Sequence, residues 1–166
     1  MVHSFLSWIN YRVPFTRVSA HCDRSCNIYD PSAAQMAALT VIRMIDLIEE
    51  FSRSQPQVLI QKARLERLVA EKERQALRVK AEIQLIWGDC LKAALLDKEP
   101  RVNDLVRNIM LQASRVKQCH DKDEAVKLLK LVDDFAELFW STKDIESAIG
   151  PCSYLPDMFF AHPKLA

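Results

Sequence analysis

A chain of 166 residues with a formal net charge of +1 is long enough to bury one core without disulfide staples, and its near-neutral balance excludes a polybasic nucleic-acid binder or a membrane-surface protein. Only two glycines and 8% aromatic residues stand in a chain rich in Leu, Ala, Lys, Arg, Glu and Gln, the composition of packed helices rather than sheets. Five scattered cysteines point to a reducing compartment in which at most two have a special role, and no run approaches the roughly 20 apolar residues of a membrane span.

Residues 1–20, MVHSFLSWINYRVPFTRVSA, carry two arginines and no acid. Arg12 and Pro14 interrupt the apolar run that a secretory signal needs. The segment therefore reads as a removable leader ending in Ser19-Ala20, or as an organelle transit peptide; the expected compartment is the cytoplasm, or an organelle on the second reading. Asp30-Pro31 marks a helix start, because Asp caps free N–H groups and Pro suits the first helical position. The first helix is expected over about 31–51, burying Met36, Thr40, Val41, Met44 and Ile48 at spacings of three and four. The stretch 52–57, with Pro56 inside it, serves as a turn.

A second helix is expected over about 58–96, with Leu65, Leu68, Val69, Ala76, Val79, Ile83, Ile86 and Trp87 along its seam and Lys, Arg and Glu on solvated faces. Pro100 ends it. A third, over about 101–118, places Val102, Leu105, Val106, Ile109, Ala113 and Val116 on one side. A fourth, over about 121–143, does the same with Ala125, Leu128, Leu129, Val132, Phe135 and Phe139. Four amphipathic helices on short turns give an all-α, antiparallel up-down four-helix bundle over 31–145. The prolines and the apolar Met158-Phe159-Phe160 of residues 146–166 read as an irregular tail. Cys90, Cys119 and Cys152 read as ordinary core or surface thiols.

The chemistry is concentrated in His21-Cys22-Asp23-Arg24-Ser25-Cys26-Asn27-Ile28-Tyr29-Asp30-Pro31. Two thiols four residues apart can close on one ion, or stand as free cysteines or an incidental disulfide. Zinc would want two more soft ligands close by, and the sequence has none there. Cleavage after Ala20 would make His21 the first residue and add a free amine, an imidazole and the adjacent backbone amide to the two sulfurs. Two thiolates and two nitrogens in a plane suit Ni(II).

The pattern His-Cys-Asp-x-x-Cys-x-x-Tyr-Asp-Pro resembles the metal hook of the nickel-containing superoxide dismutases, small four-helix bundles made as precursors. Further along, Arg67, Val69, Lys72 and Glu73 match that family's Arg-x-Val-x-x-Lys-Glu run. Leu85-Ile86-Trp87-Gly88-Asp89 followed by Lys92 resembles its Leu-Trp-x-Asp-Tyr-Phe-Lys segment, and Phe139-Trp140-Ser141-Thr142-Lys143 resembles its closing helix. The resemblance implies a nickel ion held by the His21 amine and imidazole, the Cys22 amide and thiolate, and the Cys26 thiolate, with Asp23 and Tyr29 beside the metal. It implies dismutation of superoxide to oxygen and hydrogen peroxide, a maturation peptidase acting between Ala20 and His21, and a homohexamer, with neither nucleic acid nor membrane as partner. The rival readings are a catalytically impaired metal-binding or structural bundle, and a helical interaction module whose cysteine pair is incidental.

Several positions depart from the family pattern. Ser25 stands where the family has a cis proline before its second cysteine; a cis bond at a serine costs about 2.5–4 kcal/mol, so a trans bond and a differently closed loop are expected. Asn27 replaces a glycine, a mild change because Asn tolerates positive φ. Arg24 replaces a neutral residue and reads as a solvated charge or an attractor of the anionic substrate. Cys90 stands in place of a second active-site tyrosine, and Ala37 in place of a glutamate that often pairs across subunits. Trp87, Phe139 and Trp140 read as core aromatics, and Arg67, Lys72 and Lys92 as surface or interface charges that could also steer superoxide.

Overall fold

Asp30 and Pro31 start the first helix as their chemistry requires: Asp30 Oδ1 accepts the Ser32 N–H at 2.7 Å, and the Pro31 carbonyl accepts from Ala34 and Gln35. The computed structural model describes residues 29–53, 59–91, 99, 101–153 and 155–164. Within them lie helices α1 (Ser32–Arg53), α2 (Leu59–Leu85), α3 (Arg101–Gln118) and α4 (Lys122–Ser141), then strands β1 (Ser147–Pro151) and β2 (Phe159–Pro163). Consecutive helices pack side by side and α4 closes back on α1, the ring of contacts of an up-down four-helix bundle. No described helix is long and apolar enough to cross a membrane.

The core runs through the seams of all four helices. Val79, Ile83, Val102, Ile109, Ala113, Leu128, Val132, Phe135 and Phe139 are fully buried, as their spacing predicts. On α1 the buried residues are Ala34, Gln35, Ala37, Ala38, Leu39, Val41, Ile42, Ile45 and Ile48, which bears out Val41 and Ile48 of the expected stripe and corrects the rest. Met36 is 39% exposed, and Thr40 and Met44 are half-buried. Small alanines let the neighbouring helices approach closely, so the larger side chains at the stripe's edge are left at the rim. Ala37, 1% exposed, belongs to this core and does not occupy an outward pairing position.

The second helix ends earlier than its sequence suggests. After Leu85 the chain makes a π turn over Ile86–Cys90, and the Leu91 N–H reaches back to the Ile86 carbonyl at 3.2 Å. A wider turn of five residues puts both Ile86 and Leu91 in the core, which a continuous α-helix would not do at that spacing. Gly88, whose missing side chain disfavours the α-helix, sits at its centre.

The short α3–α4 connection is held by caps. The Asp121 carboxylate accepts from the Asp123 and Glu124 N–H groups at 2.8 and 3.4 Å, while Glu124 accepts from Gln112, Arg115 and Lys127. These bonds hold the Glu124 pKa down to about 2, the one to Lys127 contributing most. Asp121→Ala should lower stability by about 1 kcal/mol, read as a shift in urea midpoint with an unchanged slope.

The tail 146–166, expected to be irregular, holds an antiparallel ribbon of β1 and β2 in which Ser147 pairs with Pro163 and Pro151 with Phe159. Bonds from Lys164 N–H to Glu146 O at 2.8 Å and from Cys152 N–H to Met158 O at 2.9 Å close it at both ends. Alternation in this stretch is masked by its prolines and short strands. The ribbon packs chiefly on α4, and Cys152 and Ala161 join the buried set.

Candidate metal centre

An up-down bundle gathers the start of α1, the end of α2, the start of α3 and the end of α4 at one end. The predicted hook departs from that end. His21, Cys22, Asp23 and Cys26 lie outside the described residues, so of the predicted site residues only Tyr29 has a described position. It is half-buried and packs against the core cluster immediately before α1. Among the described residues no group of three or more His, Cys, Asp or Glu side chains is placed to hold a metal ion.

The end of α2 lies at the same end of the bundle. Cys90, at the close of the π turn, packs half-buried against the core. Trp87 corrects its expected core position: it is 36% exposed, and its indole N–H donates to Asn103 Oδ1 at 3.1 Å, tying α2 to α3. Phe139 is fully buried, Trp140 stands edge-on to it at 5.0 Å between ring centroids, and the Lys143 ammonium lies 4.6 Å from the Phe139 ring centroid. Nearby, a groove of about 770 Å³ is lined by Glu99, Arg101, Leu105, Asp134, Glu137 and Ser141 among others. Three carboxylates against one guanidinium make it a poor host for an anion.

Two of the proposed steering cations can be assessed. Arg67 is exposed on α2, and Lys92 lies outside the described residues. Lys72 is neither a surface nor an interface charge. It is 0% exposed, and its ammonium donates to the carbonyls of Val116 at 2.9 Å, Lys117 at 3.0 Å and Cys119. Three donors meet the unpaired carbonyls at the C-terminus of α3, the end of a helix that favours a cation. Burial pulls its pKa below the ordinary lysine value, opposed by Cys119 and Glu73. A lysine in a charged run carries no sequence mark of such a role.

A polar cluster was also invisible in the sequence. Gln35, 2% exposed in the first turn of α1, donates to Asp133 Oδ1 on α4 at 2.8 Å and to the Ala161 carbonyl on β2 at 2.6 Å. The Ala161 N–H completes the triangle by donating to Asp133 Oδ1 at 3.2 Å. Burial pushes the Asp133 carboxyl up to about 6, against the opposing bonds from Gln35 and Ala161. The folded chain therefore holds this proton more tightly than the unfolded one, and stability from this group falls as pH rises from about 4 to 6. Asp133→Asn keeps the acceptor oxygen and removes the charge. It should leave the fold intact, raise stability at pH 7 by about 1 kcal/mol after allowance for the part of the group that solvent reaches, and flatten the pH dependence in that window.

The description of the nickel-containing superoxide dismutases matches residues 16–143, a span that includes the cysteine pair and all four helices. The chain belongs to the nickel-containing superoxide dismutase family. It is 28% identical over 130 residues to the nickel superoxide dismutase of Streptomyces coelicolor, and equally so to that of Streptomyces seoulensis, covering 78% of this chain and 93% of each relative. A solved native nickel superoxide dismutase superposes with a TM-score of 0.63 at 25% identity, over 74% of this chain and 99% of the other. An apo form gives 0.62 at 23% identity, a likeness in fold. This chain is thus a nickel-dependent superoxide dismutase, with nickel as cofactor and superoxide as substrate. The family match stops at residue 143, before the β ribbon begins at Ser147.

Proposed function

We propose that this superoxide dismutase takes its ligands from residues freed by cleavage between Ala20 and His21: the His21 amine and imidazole, the Cys22 amide and thiolate, and the Cys26 thiolate. The observation that carries the reading is the donor chemistry of this segment inside the family match, together with the want of any rival metal cluster among the described residues. Two thiolates and two nitrogens suit nickel.

Bound there, nickel would supply a reversible one-electron change, so that two superoxide ions and two protons give one oxygen and one hydrogen peroxide. The chain's part is to hold and to protonate. Anionic sulfur and amide donors stabilise the higher charge state, and their engagement shields the thiolates from peroxide. Tyr29, fixed by core packing three residues beyond Cys26, is assigned to hold water and pass a proton at its phenolic oxygen. Asp23 is assigned to orient the segment beside the metal. The uncut precursor lacks the His21 amine and would be inactive. Assembly as a homohexamer and a cytoplasmic site of action complete the proposal.

The deciding experiment uses purified protein beginning at His21. It should bind about one nickel per chain, on the ligand count above, and dismutate superoxide. A folded sample that binds no nickel would refute the ligand assignment, and nickel bound without turnover would select an impaired relative.

A further inference from the structure

Strand β2 has an outer edge with no partner strand among the described residues. At Ala161, which pairs with Ile149 of β1, both backbone groups face away from that strand toward the helices, and an exposed edge of this kind must be covered or bonded. Gln35 and Asp133 take the place of the missing strand, one accepting carbonyl and one donating N–H being met by side chains from α1 and α4. Ala161 is 1% exposed, small enough for the strand to reach them. On the far side of the ribbon His162 closes over Gly150, where an added Cβ would lie 2.5 Å from Nε2, so the ribbon is packed on itself as well as on the bundle.

The triangle lies at the base of the metal-binding segment. Gln35 occupies the first turn of α1, and its own N–H bonds to the Pro31 carbonyl. Holding Gln35 therefore holds Pro31 and Asp30, the residues through which the segment 21–30 joins the bundle. The ribbon lies beyond the family match, so this chain adds a third element to what the helices alone would give.

We propose that the C-terminal ribbon is a clamp on the root of the metal-binding segment, with Gln35 and Asp133 as the positioning residues that transmit it. The metal part of this inference rests on the ligand assignment above; the clamp itself does not. In the full chain, Ala161→Leu should force β2 off the helices and Asp133→Ala should remove the shared acceptor. Chymotryptic cutting at Phe159 or Phe160 reports the displaced ribbon.

Either variant should speed amide exchange at residues 32–38 by about tenfold, the loss of a charge-assisted bond and its neighbour, while amides of Val79 and Ile109 stay slow. In nickel-loaded protein beginning at His21, release of the metal to a chelator should quicken by a similar factor. Asp133→Asn should restore both rates, because its amide oxygen accepts the same two bonds. Unchanged exchange with the ribbon displaced overturns the clamp, and so does unchanged nickel release in a variant whose exchange has quickened. If protein beginning at His21 holds no nickel at all, the ligand assignment fails, and exchange alone still decides the clamp.

Discussion

Lys72→Ala should be among the most destabilising single changes in the helical bundle, costing about 3–5 kcal/mol and lowering the thermal midpoint by roughly 6–20 °C for a chain of this size. Two losses combine. The cavity left by a fully buried long side chain removes its packing, and the carbonyls of Val116, Lys117 and Cys119 lose the ammonium that donates to them. Lys72→Met separates the two, since it restores most of the volume but none of the hydrogen bonds. It should recover about half of the loss. Thermal melts of the three proteins at pH 7 check this, and a Lys72→Ala protein as stable as the parent would return Lys72 to the role of a surface charge. The Lys72→Met variant also bears on substrate attraction: if Lys72 acts only as a helix cap, the salt dependence of dismutation should be the same in it as in the parent.

The helices could be read from sequence because their signals are local and repeated. Asp30-Pro31 announces a helix start with a cap that the structure bears out, and α3 covers the predicted residues from Arg101 to Gln118. The buried face of α1 was misplaced because alanine is apolar but small. Ala34, Ala37 and Ala38 weigh little in a periodicity count, yet close helix packing favours them over Met36. The early end of α2 depends on one wide turn that trades α geometry for the burial of both Ile86 and Leu91, a decision made by tertiary packing.

The polar features were illegible for a different reason. Lys72 falls in a run that resembles the family pattern, yet nothing local marks it as a buried helix cap, nor Gln35 as more than a glutamine near a helix start, because each acts on a partner far along the chain: Gln35 bonds Asp133 and Ala161, 98 and 126 positions away. The metal site shows the reverse. The donors proposed for it crowd into a few consecutive residues of the sequence, so their chemistry is legible without a fold.

Cys22→Ser and Cys26→Ser should each remove nickel retention and lower dismutation by more than about a hundredfold, since even groups that merely support a metal ligand are worth ten- to a hundredfold. Folding should scarcely change. The described core is built from residues 34–161, with Tyr29 packed against its edge, so the helical circular dichroism and the metal-free thermal midpoint of both variants should match the parent. A third protein isolates the terminal amine: one extra residue ahead of His21 keeps both sulfurs and the imidazole but turns the amine into an amide, a far weaker donor. It should keep the fold and lose activity together with the cysteine variants. If the extended protein were instead fully active, the amine would not be a ligand and cleavage after Ala20 would not be the activating step, although the thiolates would keep their part. Should both cysteine variants retain nickel and activity, the site must be sought away from residues 21–26.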